Sequence, residues 1–416
     1  YNNQNKQTIM ISLRALFDLV TLPIKLLLAL LKYPIFGGVN KRYKNDLANS
    51  LKVILCRSLI NFPVKDTPIF ATTPTGDMIN KGIGKTYPNM TKLPHFGEKF
   101  DKQSYWLVES KNRKPNDPVL IYLHGGGYFL DVAPQQIETL LSIYHLLEPA
   151  KKLRFSILVL NYNLTSKGFP VPHQLAQLVD TYTSLVRGGS ENLLLMGDSA
   201  GGNLAITFTQ NLRLNKPNLP YPRSVILVSP WVKLIPEVYQ NTPGHSYYNY
   251  SANDVIQYDR FSSAEVYQGT LGDTKLKSLT VSPGNCPYDP KDWEEIDTYR
   301  KPGYSVFVLA GEHESFRDDI LEWSKYALDY PIPPNLGNSD GVYNPKIHKY
   351  IRNNKDSAHV DVNIEPLGVH DVCFFENLLL SKLENDANLT IDGVDAKQFF
   401  AIVNIVKFLD TVLPGK

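Results

Sequence analysis

Cysteine is scarce in this chain of 416 residues: only Cys56, Cys286 and Cys373 occur, far apart from one another. Thiols this dispersed exclude a CxxC zinc pattern and a disulfide framework, and allow one bridge at most. Neither sign of charge dominates. With 43 basic and 41 acidic residues the formal net charge is +2, which argues against nucleic acid as a partner. Long apolar runs are missing too. The longest charge-free stretches near the start, residues 19–24 and 26–31, fall far short of the ~20 residues a membrane-spanning helix needs. Internal repeats and metal-ligand spacings are absent, and nothing in the residues calls for a metal or an organic cofactor. What is there is ordinary globular composition, 43% hydrophobic and 20% charged. Its length suits either roughly two or three average domains or one α/β domain carrying insertions. The chain opens on Tyr1, as a fragment or a processed form would.

Residues 1–9 are polar and are expected to be disordered. From Met10 to Phe36 the chain is leucine-rich but interrupted by charge. At about 100° per residue, Arg14, Asp18, Thr21, Lys25 and Lys32 share one narrow face of a helix. A thin polar stripe on an apolar surround fits a helix lying in a membrane interface, with Pro23 expected to break it in two. Charges interrupting the apolar segment argue against a signal peptide. Residues 43–62 predict a second amphipathic helix, with Leu47, Leu51, Ile54, Leu55, Leu59 and Phe62 on one face and Pro63 ending it. Residues 63–100, rich in Pro, Thr, Gly and Lys, read as loop with short strands.

From Pro118 a repeating pattern begins. Apolar strands are expected at 119–123, 156–160, 193–196, 224–228, 305–309 and 360–364, with a further alternating strand at 104–109. Helices are expected at 173–186, after residue 200, at 317–328 and at 395–413. Apolar strands alternating with helices predict a parallel, helix-covered sheet. Two stretches interrupt it: residues 231–303, aromatic and polar, read as part of a cap, and residues 330–357 read as a surface insertion. Insertions of this kind belong over the carboxyl ends of the strands, where sites lie.

Two motifs carry chemistry. After the apolar run ending at Met196 comes Gly197-Asp198-Ser199-Ala200-Gly201-Gly202-Asn203. A strand, a sharp turn and a helix with serine at the apex make a nucleophile elbow, which aims the Ser199 hydroxyl at a helix N-terminus. After the strand ending at Leu123 comes His124-Gly125-Gly126-Gly127-Tyr128. Bare glycine amides suit acyl transfer, whose tetrahedral intermediate carries a full negative charge; each such donor is worth ~3 kcal/mol. The donors are assigned to Gly126, its neighbours Gly125 and Gly127, and Ala200. A serine hydroxyl also needs a base, and the base an orienting acid, in the chain order serine, acid, histidine. His370, after the last strand, fits the base; His124 lies on the wrong side of the nucleophile and is expected to shape its loop. Four carboxylates, Glu312, Glu314, Asp318 and Asp319, compete for the acid.

These residues resemble the hormone-sensitive-lipase-like branch of the α/β-hydrolases over roughly residues 100–416. The resemblance rests on His124–Gly127 and Gly197–Asn203, with Asn161-Tyr162-Asn163-Leu164, Pro170 and Pro172, Ser229-Pro230-Trp231 and Ser282-Pro283 in support. It implies an α/β-hydrolase fold: a mostly parallel sheet flanked by helices, with a helical cap from the N-terminal helices and an insertion after the sixth strand. Residues 1–62 would then be membrane-associated cap helices and residues 63–416 the hydrolase domain. By motif match the acid falls on Glu314, with Glu312 as the alternative and Asp318 and Asp319 capping the next helix. The family's Asp-Tyr is Asn161-Tyr162 here.

With its apolar N-terminal segment, the chain is further similar to the fungal steryl acetyl hydrolases and more distantly to arylacetamide deacetylases. That similarity implies an endoplasmic-reticulum membrane protein that removes acetyl groups from sterol esters. The sequons at Asn89, Asn163, Asn249 and Asn388 would permit luminal glycosylation. Lys32, Lys41, Arg42 and Lys44 would instead hold the core cytosolic if the segment spanned; a helix lying flat avoids the conflict. The expected function is serine ester hydrolysis through an acyl-enzyme, on lipophilic acetyl or short-acyl esters in an apolar pocket under the cap. The alternatives are a broad lipase or arylacetamide-type deacetylase, and a ligand receptor on the same fold.

Overall fold

A computed structural model describes residues 11–71, 73–216, 218–334, 336–337 and 339–415; the polar tail at 1–9 lies outside them. Eight strands form one sheet in the order β1-β3-β2-β4-β5-β6-β8-β7. They are β1 Ser104–Val108, β2 Val119–Leu123, β3 Ser156–Leu160, β4 Leu193–Asp198, β5 Ser224–Val228, β6 Ser305–Gly311, β7 Lys349–Arg352 and β8 His359–Glu365. Pairing is antiparallel at the two edges, β1 with β3 and β7 with β8, and parallel in between.

Buried parallel strands read as continuous apolar runs because both faces are covered. In β2, Val119, Ile121 and Leu123 enter one core while Leu120 and Tyr122 enter the other. The principal helices, in chain order, are α1 Leu13–Phe36, α2 Leu47–Asn61, α3 Pro134–Leu146, α4 His173–Arg187, α5 Ala200–Asn215, α6 Arg317–Leu328, α7 Leu378–Asn385 and α8 Phe400–Val412. Buried residues of α4, α5 and α6 join the first core, and those of α3, α7 and α8 the second.

Several expectations change. Residues 63–100 hold no named strand; Val64–Phe70 and Met78–Ile83 wind into helical turns instead, since Pro63, Pro68 and Pro74 deny a ladder its donors. The 231–303 insertion leaves the sheet after the fifth strand, not the sixth, because only β1 to β5 precede it. Pro23 does not divide α1, which runs unbroken past it; Pro23 is exposed and Leu19 only half-buried, so the Leu19 carbonyl that loses its helical donor can be met by water. The second helix begins at Leu47 because Asp46 caps it by accepting from the Asn49 N–H. The closing helix begins at Phe400, where the Glu376 carboxylate takes the N–H groups of Ala401 and Ile402. The 330–357 insertion is more than surface, since it supplies β7. Helix α3 lies in a stretch for which the sequence reading assigned nothing. The three cysteines are unpaired.

Candidate active site

The site forms at the carboxyl ends of β2, β4, β6 and β8. Between β4 and α5, Ser199 takes φ 49° and ψ −112°, the strained turn of a nucleophile elbow. Two glycines make it possible: a Cβ on Gly197 would lie 2.2 Å from the Gly201 carbonyl oxygen, and one on Gly201 1.8 Å from the Leu123 carbonyl oxygen. No larger residue fits there.

His370, on the loop after β8, reaches across to this turn, with Nε2 2.9 Å from Ser199 Oγ. Its Nδ1 faces Glu314 Oε1 at 3.5 Å, longer than a formed hydrogen bond and within the looseness of resting active sites. Glu314 is fully buried and accepts from the Gly311 N–H at 2.6 Å and the Ser229 hydroxyl at 2.7 Å. Burial raises the Glu314 carboxyl above its usual range, against the pull of His370. Burial also opposes a charge on His370, but Asp371, Glu314 and Asp254 together outweigh it and hold the imidazole up at about 9.

Of the four carboxylates, only Glu314 meets His370. Glu312 turns away to the Ser339 hydroxyl and the Leu367 N–H, with His348 3.7 Å off. Asp318 and Asp319 do not cap α6. Asp318 takes the Ser246 N–H and pairs with Arg317; Asp319 takes the Gln240 amide, with Lys233 beside it. Both are drawn off by partners from the insertion.

The glycine loop is held from below. The Asp198 carboxylate accepts from the Tyr122 hydroxyl, the Gln136 amide and the Gly125 N–H. Gly125 was expected among the oxyanion donors, but its N–H is already committed to Asp198. Among the described residues, the N–H groups of Gly126 and Gly127 donate to no other main-chain group, and Ala200 sits at the first position of α5, where an N–H has no helical acceptor. Positive φ at Gly126 and Gly127, 102° and 64°, turns this loop past the serine. His124 is no base: it stacks on Tyr162 at 4.0 Å, its Nδ1 on the Gly125 carbonyl.

Sequence reasoning missed two anchors. The Asp254 carboxylate accepts the N–H groups of His370, Ser315 and Val255, joining the histidine loop to the acid loop. Ser229 bridges Glu314 and the Asp371 N–H. Ser229 stood inside a quoted motif; Asp254 lies in the insertion, with no local signal. A cavity of about 250 Å³ opens on Ser199 and His370, walled by Cys56, Leu59 and Ile60 of α2, by Phe70, and by Phe374 and Phe375. The insertion adds only Val255, so α2 and its following turn form the pocket wall that the insertion was expected to share more evenly.

A serine hydroxyl against an imidazole, at the carboxyl end of a parallel sheet and beside free main-chain amides, marks the working end of an α/β-hydrolase. The chain is a carboxylic ester hydrolase of that fold. An esterase of the bacterial hormone-sensitive lipase family superposes with a TM-score of 0.51 at 18% identity, covering 88% of this chain and 100% of that one. A family model described as steryl acetyl hydrolase matches residues 13–330. The mug81 protein of Schizosaccharomyces pombe, provisionally named a steryl acetyl hydrolase, is 32% identical over 337 residues, 76% of this chain and 84% of that protein. Steryl acetyl hydrolase 1 of Saccharomyces cerevisiae is 36% identical over 121 residues, 28% of this chain and 27% of that protein. The chain belongs to the steryl acetyl hydrolase family.

Proposed function

We propose that the chain removes acetyl groups from steryl acetates through an acyl-enzyme on Ser199. His370 takes the serine proton as Oγ attacks the ester carbonyl, then delivers it to the departing alcohol. Glu314 orients His370 and stabilises its charged form. The N–H groups of Gly126, Gly127 and Ala200 hold the oxyanion. Water repeats the sequence on the acetyl-enzyme and frees acetate.

The observation that carries this reading is the 2.9 Å contact between Ser199 and His370 on the floor of an apolar cavity of about 250 Å³. That volume is small beside the roughly 300–1,000 Å³ of ordinary ligand sites. It suits a short acyl group, with a bulky alcohol extending past Leu59 and Phe70 towards the outer surface.

The same reading has α1 lie on the membrane that carries the substrate. Its outward residues Leu13, Phe17 and Ile35 are 86%, 67% and 76% exposed, whereas Asp18, Lys25 and Lys32 line the groove it shares with α2. A helix presenting its apolar side outward over its whole length suits an interface; no described helix is long and apolar enough to cross a membrane. The endoplasmic reticulum is the location the family similarity implies, and glycan at the exposed Asn89, Asn249 or Asn388 would put the core on its luminal side.

The test is a panel of sterol acetate, long-chain glycerides and an aryl acetamide against the purified protein and Ser199→Ala. Turnover of sterol acetate, lost in Ser199→Ala, is expected. Turnover of long-chain glycerides alone would sink the steryl acetate reading.

A further inference from the structure

His370 carries two partners on the same ring nitrogen. Nε2 lies 2.9 Å from Ser199 Oγ and 3.3 Å from Asp371 Oδ2. Asp371 is held there by its backbone: φ is 54°, and its N–H donates to Ser229 Oγ at 3.1 Å. It lines the same cavity as Ser199, Gly126 and His370. Its other oxygen, Oδ1, is buried with no hydrogen-bond partner among the described residues. A half-buried carboxylate with one oxygen enclosed and unpartnered, at the mouth of a reacting centre, calls for an explanation.

Deacylation supplies one, and this argument rests on Ser199 being the acylated residue. Once Oγ is esterified, Nε2 is free, and the attacking water must bind against it, where the alcohol has left. That seat is bordered on one side by Nε2 and on the other by the Asp371 carboxylate. We propose that Asp371 is a further catalytic residue that grips the attacking water and commits the acyl-enzyme to hydrolysis. One water O–H donates to Nε2 and the other to Asp371, which turns the lone pair to the acyl carbon. The water oxygen bonds to that carbon and gives one proton to Nε2. The carbon–Oγ bond then breaks, Nε2 returns the proton to Oγ, and the free acid leaves. Asp371 exchanges no proton. An alcohol has a single O–H and cannot satisfy both acceptors, so the pair discriminates against acyl transfer to alcohols.

The charged and titratable groups around Asp371 are His370, Glu314, Asp254 and Asp198, with Tyr122, Cys56 and Cys373 near them. Burial raises the Asp371 carboxyl, and among its neighbours only His370 opposes the rise.

The experiment is pre-steady-state hydrolysis of 4-nitrophenyl acetate by wild type, Asp371→Ala and Asp371→Asn, with and without methanol as a competing acceptor. Methyl acetate and acetate are both quantified, and thermal unfolding is checked. At a pH above about 9, where His370 is deprotonated with or without Asp371, we expect in Asp371→Ala a nitrophenol burst, deacylation slowed about 10- to 100-fold, acylation within a few-fold of wild type, and a larger methyl acetate fraction. Asp371→Asn, which keeps an acceptor oxygen, should restore part of the loss and also guards against a folding failure in the alanine variant. An unchanged methyl acetate fraction overturns the proposal, whether both steps stay at the wild-type rate or fall in parallel. A wild type that forms no acetyl-enzyme points instead to failure of the Ser199 reading itself.

Discussion

The loops around Ser199 and the N-terminal helix are built on opposite terms. In the loops, buried polar groups are matched, mostly across long stretches of chain: Asp254 with the amides of His370 and Ser315, Asp198 with Tyr122, Gln136 and Gly125, Glu314 with Ser229 and, locally, Gly311. In α1 only Ala15 is buried, and the apolar side has no partner in the fold. α8 shows what such a helix does inside a protein: equally apolar, it buries Ile402, Ile405, Val406 and Leu409. An unpaired buried carboxylate costs stability in water, whereas an exposed leucine costs little. The loops therefore have to be right for the protein to fold and react. The outer face of α1 has to be right for something outside the chain.

That contrast can be broken at either end. The largest effect is expected at the site: His370→Ala should lower kcat/KM by roughly 10⁴- to 10⁶-fold, and should also lower the unfolding temperature at neutral pH, where the charged imidazole held by Asp371 and Glu314 stabilises the fold. Next comes Asp254→Ala. Three main-chain donors lose their acceptor at once, so we expect about 3–5 kcal/mol less stability in denaturant titration, together with lower activity as the two loops separate.

Third is pH. The base works only when deprotonated, and His370 is held up at about 9. Steady-state kcat/KM should therefore climb about tenfold per unit through neutral pH and level off near 9. The same raised value stabilises the fold fully below the ordinary histidine value of 6.5 and less as pH rises towards 9, which thermal unfolding across pH would follow. The smallest effect in water belongs to α1. Phe17→Ser, Leu31→Ser and Ile35→Ser should each change stability by less than about 0.5 kcal/mol and leave hydrolysis of a soluble ester unaltered. Combined, they should abolish co-sedimentation with phosphatidylcholine vesicles. Persistent vesicle binding would remove the contrast.

The legible parts of the sequence were those written locally. The apolar runs of β2, β4, β5 and β6, the glycines flanking Ser199 and the placement of His370 after the last strand each reflect a few neighbouring residues. Glu314 was singled out from four carboxylates only by the family resemblance, and Asp318, expected to cap the next helix, serves the insertion instead. What stayed hidden depends on distant pairing. β7 is a short edge strand whose only signal is its partner β8, and Asp254 lies 116 residues from the His370 amide it holds. Gly125 failed as an oxyanion donor for the same reason, because its N–H is spoken for by a carboxylate 73 residues away.

The central claim is that Ser199 is the nucleophile and that His370 activates it. The direct measurement is intact-protein mass spectrometry after brief exposure to diethyl 4-nitrophenyl phosphate, followed by peptide mapping. We expect one diethylphosphoryl group per chain, on Ser199, with labelling slowed at least a hundredfold in His370→Ala. Label on another residue, or equal labelling of Ser199→Ala and wild type, would contradict the account.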